Sequence, residues 1–239
     1  MTLDPRRNQL FSMLPLQVLE RIGSRAGIVP MAADEVLIGP GEPIGAVYFP
    51  LDGVVSLDQP IVPGGDEQSL APSVAFIGNE GFIGVEPVLG SETAVNRARV
   101  RIEGHALRVD AAAVQEEFLR AGALHRLLLR AADALFGQVC ANAACERVHS
   151  VQQRLVRWLL LTHDRAPSGD LGLTQEALSQ VLGVRRASVS MAASQLHSAG
   201  LNDYGRGKIM IVDRVRLEAL SCQCYREIKA RYENHLHGD

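Results

Sequence analysis

The strongest structural signal in the chain is the segment TQEALSQVLGVRRASVSMAASQL at residues 174–196. Counted from Gln175 as the first place of a motif, apolar residues occupy places 4, 8, 10, 15 and 18, a spacing that lets two short crossing helices share one core. Gly183 stands where the tight turn favours a positive φ, and Thr174 is placed to cap the first helix. The segment therefore predicts a helix-turn-helix. The apolar places are Leu178, Leu182, Val184, Val189 and Ala192.

A β-hairpin is predicted directly after this motif. Residues 201–213 contain two β-prone runs on either side of Gly205-Arg206-Gly207, and a glycine-rich link of this kind indicates a hairpin. A helix-turn-helix followed by a hairpin forms a winged helix. Arg206 and Lys208 would lie near the tip of the wing, where cations contact DNA phosphates.

Charge is distributed unevenly along the chain. Residues 1–150 contain 12 Lys+Arg and 18 Asp+Glu, whereas residues 151–239 contain 12 and 9, within a total net charge of −3. A basic segment joined to an acidic body is typical of a small DNA-binding domain attached to another unit. Double-stranded DNA is therefore the expected partner.

The N-terminal part has a different pattern. Between Ile28 and Val109, short β-prone runs alternate with turns such as Gly39-Pro40-Gly41 and Asp52-Gly53. Many short strands at this spacing predict a sandwich, barrel or jelly roll.

A long helix is predicted over residues 123–147, after a shorter one that Asp110 would cap. It has two apolar stripes, so we expect one stripe to face the β-domain and the other to form a coiled-coil seam with a second copy of the chain. The spacing alone does not decide between them. The first stripe, taken as the candidate seam, is Leu124, Leu128, Ala131, Leu135, Gln138 and Asn142. The second stripe is Leu129, Ala132, Phe136, Val139 and Ala143.

Composition narrows the class of protein. The 239 residues are 47% hydrophobic and 21% charged, an ordinary globular profile, and no apolar run approaches the ~18 residues of a membrane span. The start lacks the apolar region of a secretory signal, and four cysteines are too sparse for a disulfide framework, so we expect a cytoplasmic protein without membrane contact. Neither a P-loop nor a G-x-S-x-G or H-E-x-x-H motif is present, and we expect no enzyme activity.

This order of parts resembles the CRP/FNR family of transcription regulators. The resemblance is carried by AVYFPLDGVVSL at 46–57, GNEGFIGVEPVLG at 78–90, VQQRLVRWLLLTHDR at 151–165, and the winged-helix segment. It implies an α+β fold with three parts. These are a cyclic-nucleotide-binding-like β-roll (jelly roll) at 1–110, a connector and dimerisation helix at 111–147, and a winged helix-turn-helix at 148–239. It further implies a bacterial homodimer that binds palindromic DNA and, if an activator, contacts RNA polymerase.

The resemblance also implies DNA contacts on the second helix of the motif. In the cyclic-AMP receptor pattern an Arg, a Glu and a second Arg read bases; the first matches Arg186, while the other two slots hold Ala187 and Met191. The sequence that is read should therefore differ. The full set of expected DNA contacts is Thr174, Gln175, Arg185, Arg186, Ser188, Ser190, Arg206 and Lys208.

The residues that bind the effector in this family are poorly matched in this chain. Cyclic-nucleotide binders have a Gly-Glu pair and an Arg for the cyclic phosphate; here Gly84 is followed by Val85, and the Arg slot holds Asn96. Glu86 and Arg97 are each one residue away, which in a strand turns the side chain to the other face. We therefore expect that cyclic AMP is not a tight ligand. No cofactor is predicted, and the effector stays unidentified.

Two other interpretations remain open. The helix-turn-helix could serve protein contacts within a ligand-binding or interaction module. Alternatively, the cysteines could sense metal or redox state through Cys222-Gln223-Cys224, or through Cys145 and His149 one helical turn apart with Cys140 nearby. Neither group contains an evident full ligand set, so no metal site is predicted.

Overall fold

The computed structural model describes residues 3–60, 71–166, 171, 174–205 and 208–237. The chain opens with a 3-10 turn at Pro5–Arg7 and two helices, α1 (Gln9–Ser12) and α2 (Leu16–Gly23). Asn8 attaches this N-terminal region to the rest. Its side chain accepts hydrogen bonds from two backbone amides of α1 and donates to the carbonyls of Pro50 and Gly81.

Two antiparallel sheets follow and form the predicted β-roll. One sheet has the strand order β1-β7-β3 and the other β2-β6-β4-β5, with the short helix α3 (Glu86–Leu89) between β5 and β6. Apolar side chains from both sheets meet in one core between them. Alternate side chains of β3 and β7 pack instead against the helices on the other face of their sheet. The strands are β1 (Ala26–Met31), β2 (Val36–Ile38), β3 (Ala46–Pro50), β4 (Val54–Asp58), β5 (Ser73–Ile77), β6 (Arg97–Ile102) and β7 (Gly104–Asp110).

The connector consists of α4 (Ala111–Leu119) and the long helix α5 (Ala123–Val148). Asp110 immediately precedes α4 as predicted, but its side chain makes no capping hydrogen bond and instead accepts one from Arg108. None of the helices in the described part of the chain combines the length and hydrophobicity needed to cross a bilayer.

The assignment of the dimer seam on α5 is corrected by the structure. All six candidate residues are buried inside the chain, because this stripe packs on the β-roll. Its two polar members belong to the same contact. Gln138 Nε2 donates to the Phe76 carbonyl at 3.2 Å and Asn142 Nδ2 donates to the Val74 carbonyl at 2.8 Å, so they bind the edge strand β5. The residues concerned are Leu124, Leu128, Ala131, Leu135, Gln138 and Asn142.

The C-terminal segment is a winged helix-turn-helix, which confirms the predicted fold class. Gly183 ends the first motif helix with φ at +61°, and the hairpin pairs Asn202 with Ile211 through Gly205 with Lys208. Four of the five predicted apolar places are buried, and Val184 is partly buried against the same core. The elements are α6 (Val151–His163), α7 (Gln175–Leu182), α8 (Arg186–Ser198), β8 (Asn202–Gly205), β9 (Lys208–Ile211), α9 (Arg214–Ala219) and α10 (Gln223–His237).

Helix α10 returns along α5 and packs against it. Gly137 permits a close approach, since a Cβ atom there would lie 2.3 Å from the Arg231 side chain. The same arginine pairs with Asp133 one turn away, with Nη1 3.2 Å from Oδ2. Two faces of α5 are therefore covered by the chain itself, one by the β-roll and one by α10.

The winged segment also docks on the outer face of the β-roll. The Trp158 ring of α6 meets Phe76 of β5 edge-on, with centroids 5.4 Å apart. The turn at Gly183 lies against Pro72, whose Cβ is 3.1 Å from where a Cβ on that glycine would stand. Apolar packing thus fixes the position of the helix-turn-helix relative to the β-roll.

A buried ion pair completes this contact. Arg165 Nε lies 2.6 Å from Glu80 Oε1, its Nη1 donates to the Leu161 carbonyl at 2.7 Å, and the guanidinium lies over the Tyr232 ring. Burial alone would lower the pKa of Arg165, but the charge of Glu80, its hydrogen bond, and the charges of Tyr232 and Asp164 together outweigh burial, and the pKa is raised. The side chains are only 6% and 9% exposed, so each charge depends on the other.

We expect Arg165→Met to lower the free energy of unfolding by about 3–5 kcal/mol, because it leaves the Glu80 carboxylate buried without a partner. Urea unfolding followed by the fluorescence of Trp158, the single tryptophan, measures the change. Adding Glu80→Gln should recover part of the loss. Arg120→Met, which removes an exposed guanidinium 3.3 Å from Glu117, should cost less than about 1 kcal/mol. Equal losses in both arginine variants would contradict this account.

Candidate nucleic-acid interface

Helix α8 presents one face to solvent and buries the other. The buried face consists of Val189, Ala192, Ala193 and Leu196, which follow one another at helical spacing. On the open side, the Arg186 side chain is 68% exposed and Met191 is 64% exposed. A helix held on one side by a small core, with its N-terminal turn and outer face open, has the geometry needed to enter a major groove.

The start of α7 lies beside this face. Thr174 Oγ1 accepts a hydrogen bond from the Ala177 amide at 3.1 Å, which confirms its capping role. Ser190 Oγ donates to Gln175 Oε1, so two predicted contact residues from the two helices are joined. The Arg186 Nε atom is 4.0 Å from the Glu176 carboxylate, and since both groups are exposed this pair is weak and leaves the arginine available.

The remaining candidates lie at the ends of these elements. Arg185 occupies the N-cap position of α8, is exposed and makes no capping hydrogen bond. Ser188, in the first turn, is half-buried. Lys208 begins β9, as the hairpin prediction required, although its side chain lies outside the described residues, as does Arg206.

Comparisons with known proteins agree with this architecture. Residues 153–220 match the Crp-like helix-turn-helix domain family. The FixK2 structure from Bradyrhizobium japonicum shares 21% identity with a TM-score of 0.68, over 82% of this chain and 98% of that one. A transcriptional regulator of the CRP/FNR family from Thermus thermophilus shares 20% identity with a TM-score of 0.62, over 82% and 98%. The chain has the CRP/FNR fold.

One further protein with this fold is described by the ligand to which it responds. The c-di-GMP-responsive global regulator CLP of Xanthomonas campestris shares 18% identity with a TM-score of 0.64, over 83% of this chain and 100% of that one. No curated protein matches the sequence significantly. The resemblance to CRP/FNR regulators that the sequence motifs carried is confirmed, and the winged segment is a Crp-like helix-turn-helix domain.

The cavity beside the residues that the sequence proposed for an effector pocket is almost filled. The cavity at Gly84 has a volume of about 10 Å³, room for one water at most. Leu57 and Ile77 from the β-roll line it, and Leu135 of α5 closes it. Gly84 itself has φ at +87°, and a Cβ there would lie 3.2 Å from the Ala46 carbonyl.

The polar residues proposed for this pocket are engaged elsewhere or face away. Glu86 Oε1 accepts a hydrogen bond from the Val95 amide at 3.2 Å, and Asn96 Nδ2 donates to Gln59 Oε1 at 2.8 Å. Arg97 does not line the cavity, so its assignment is corrected: it alternates with Asn96 and Ala98 along β6 and points to the opposite face. Val85 supplies only an apolar side chain.

The two cysteine groups that the sequence presented separately form one cluster. The ligand atoms of Cys145, His149, Cys222 and Cys224 all lie within 4.8 Å of one another. A hydrogen bond from Cys145 lowers the pKa of Cys222 to about 5, helped by the charges of His149 and Arg157, and the same bond raises the pKa of Cys145. The sequence did not reveal a third ligand for Cys145 and His149, because Cys222 is more than seventy positions away along the chain. Cys140 is exposed and outside the cluster.

We expect cyclic AMP to show no micromolar binding, because the cavity has no space for it and the described residues that line it include no cation for a cyclic phosphate. Isothermal titration calorimetry on the full chain measures this, and adenosine as a non-phosphorylated ligand gives the matched baseline. A dissociation constant in the micromolar range for cyclic AMP would show that the cavity opens and would refute the expectation.

Proposed function

We propose that this protein is a sequence-specific, DNA-binding transcription regulator of the CRP/FNR type. The observation that carries the proposal is the open face of α8 in a Crp-like helix-turn-helix domain, with Arg186 exposed at its N-terminal turn. Arg186 would bind a guanine edge through both nitrogens, and Arg185 and Ser188 would contact phosphate or base beside it. The DNA phosphate backbone would be bound at two places. These are the start of α7, with Thr174 and Gln175, and the wing, with Arg206 and Lys208.

The regulator would act as a homodimer. One winged helix reads few base pairs, whereas a two-fold dimer reads two half-sites about one helical turn apart. The seam would be the second apolar stripe of α5, which neither the β-roll nor α10 covers completely. Its residues alternate in three- and four-residue steps and include Phe136, 68% exposed, and Leu129, also exposed. The stripe is Leu129, Ala132, Phe136, Val139 and Ala143.

The remaining assignments follow from this role. The domain division at 1–110, 111–147 and 148–239 is supported by the breaks between β7 and α4 and between α5 and α6. Regulation would consist of a two-state change in the seam and in the angle of the winged domain, which sets the spacing of the two recognition helices. We propose a cytoplasmic, non-enzymatic protein that contacts RNA polymerase where it activates.

Selection of bound duplexes from a random pool, at ~150 mM salt, tests the DNA-binding role. We expect a palindrome from the native chain. With Arg186→Ala, one base of each half-site should lose its preference, at a cost of about 1–3 kcal/mol in discrimination, because a bidentate base contact is removed. Arg120→Ala, which removes an exposed arginine at the end of α4, should leave the selected DNA motif unchanged.

An unchanged motif in the Arg186→Ala protein would show that the register of the recognition helix is wrong. DNA binding that depends neither on the DNA sequence nor on the salt concentration would favour the alternative role of the helix-turn-helix, as a surface for protein contacts.

We expect Phe136→Glu to convert the dimer to a monomer, because it places a charge in the middle of an apolar seam. Sedimentation equilibrium at micromolar concentration measures the mass. Leu119→Glu, which changes a similarly exposed leucine at the end of α4, is the matched control and should remain dimeric. A dimer that survives Phe136→Glu would place the interface elsewhere.

A further inference from the structure

The cysteine cluster lies at the base of the winged segment. Cys145 and His149 occupy successive turns at the end of α5, immediately before α6 begins. Cys222 immediately precedes α10, shortly after α9 ends at Ala219, and Cys224 is the second residue of α10. The four side chains therefore lie together at the point where the winged segment begins and where α10 turns back along α5.

We propose that Cys145, His149, Cys222 and Cys224 bind one divalent metal ion of the zinc type in a tetrahedral site. All four ligand atoms are within 4.8 Å of one another, and three of the four residues are buried. Three thiolates with one imidazole form an established ligand set for structural zinc. No part of the sequence motif for DNA binding is used by this site.

The distances in the cluster agree with such an ion. With Zn–S bonds of about 2.3 Å, two sulfur ligands of a tetrahedral site stand about 3.8 Å apart, and a sulfur and a nitrogen ligand about 3.6 Å apart. The Cys145 and Cys222 sulfurs are 3.8 Å apart, and the Cys224 sulfur is 3.8 Å from His149 Nδ1. Since no two ligand atoms are more than 4.8 Å apart, the most distant pair needs to move by about an ångström.

A buried arginine provides an independent argument. Arg157 of α6 is only 4% exposed, and its Nε and Nη1 atoms have no hydrogen-bond partner among the described residues. Its positive charge acts on all three cysteines of the cluster. Three thiolates, a neutral imidazole and a divalent ion sum to one negative charge, which offsets the buried guanidinium and so reduces the cost of burying it.

The compactness of the cluster favours a single ion over the alternatives. A four-iron cluster attaches its ligands to separate iron atoms and holds them farther apart than one ion does. A disulfide between Cys145 and Cys222 would use two of the residues and leave Cys224 and His149 without a role. A single ion uses all four and joins α5 to α10 at the hinge before α6.

The test uses the full chain, purified under reducing, anaerobic conditions. We expect about one zinc per chain by elemental analysis. Cobalt(II) in place of zinc should give the intense visible bands of a tetrahedral ion together with sulfur-to-cobalt charge transfer. X-ray absorption on the zinc protein should count three sulfur ligands and one nitrogen, and none of these measurements depends on a variant that folds.

Matched variants then assign the site. Cys140→Ser, an exposed cysteine on α5 five positions before Cys145, should retain the cobalt spectrum and the affinity. Cys222→Ser and His149→Gln should lose more affinity than the roughly 10- to 100-fold that removal of an outer-shell partner costs. Circular dichroism verifies that each variant is folded.

Three outcomes would overturn the proposal. The first is reduced native protein with four free thiols and no tetrahedral cobalt spectrum. The second is equal cobalt affinity in the Cys140→Ser and Cys222→Ser proteins. The third is native protein isolated with a Cys145–Cys222 disulfide that, once reduced, still binds no metal. None of these readouts involves DNA, so they stand apart from any result on DNA binding.

Discussion

A single helix, α5, contacts most of the other parts of the chain. Because its surface is limited, the face that packs against one part is not free for another. Because the helix has a 3.6-residue period, one of its faces packs on the β-roll and another on α10, which approaches closely at Gly137. What is left is the stripe of Leu129 and Phe136. Its C-terminal end brings Cys145 and His149 to the hinge. The fold, the proposed seam and the cysteine cluster are therefore three consequences of how one helix is packed.

The winged segment is held to the β-roll by contacts of two kinds. The apolar contact of Trp158 with Phe76 supplies non-directional attraction, whereas Arg165 and Glu80 supply a fixed geometry. If the domain moved away, both charges would regain water, so the ion pair resists separation less than its short distance suggests. The buried rings of Trp158 and Tyr232 would lose their cover. The apolar contacts thus hold the domain in place, and the ion pair specifies where.

The helix-turn-helix could be predicted from the sequence because its determinants are local. Gly183, Thr174 and the apolar places lie within one short segment. The seam could not be assigned, because Gln138 and Asn142 were judged by their spacing, whereas the structure shows them bound to carbonyls of β5, more than sixty positions away. The assignment of Arg97 to the cavity was wrong for a similar reason, since a shift of one residue in β6 turns a side chain from the cavity to the opposite face.

The filled cavity of the β-roll constrains how any ligand there could act. Its volume of about 10 Å³ excludes even a small effector unless side chains that line it move, and one of these, Leu135, is part of α5. In a closely packed interior, a rigid helix transmits such a displacement along its length. A ligand that entered by displacing Leu135 would therefore shift Phe136 on the adjacent exposed stripe and Cys145 about three turns along. Helix α5, which helps to fill the cavity, would therefore couple ligand binding there to the dimer seam and to the base of the winged domain.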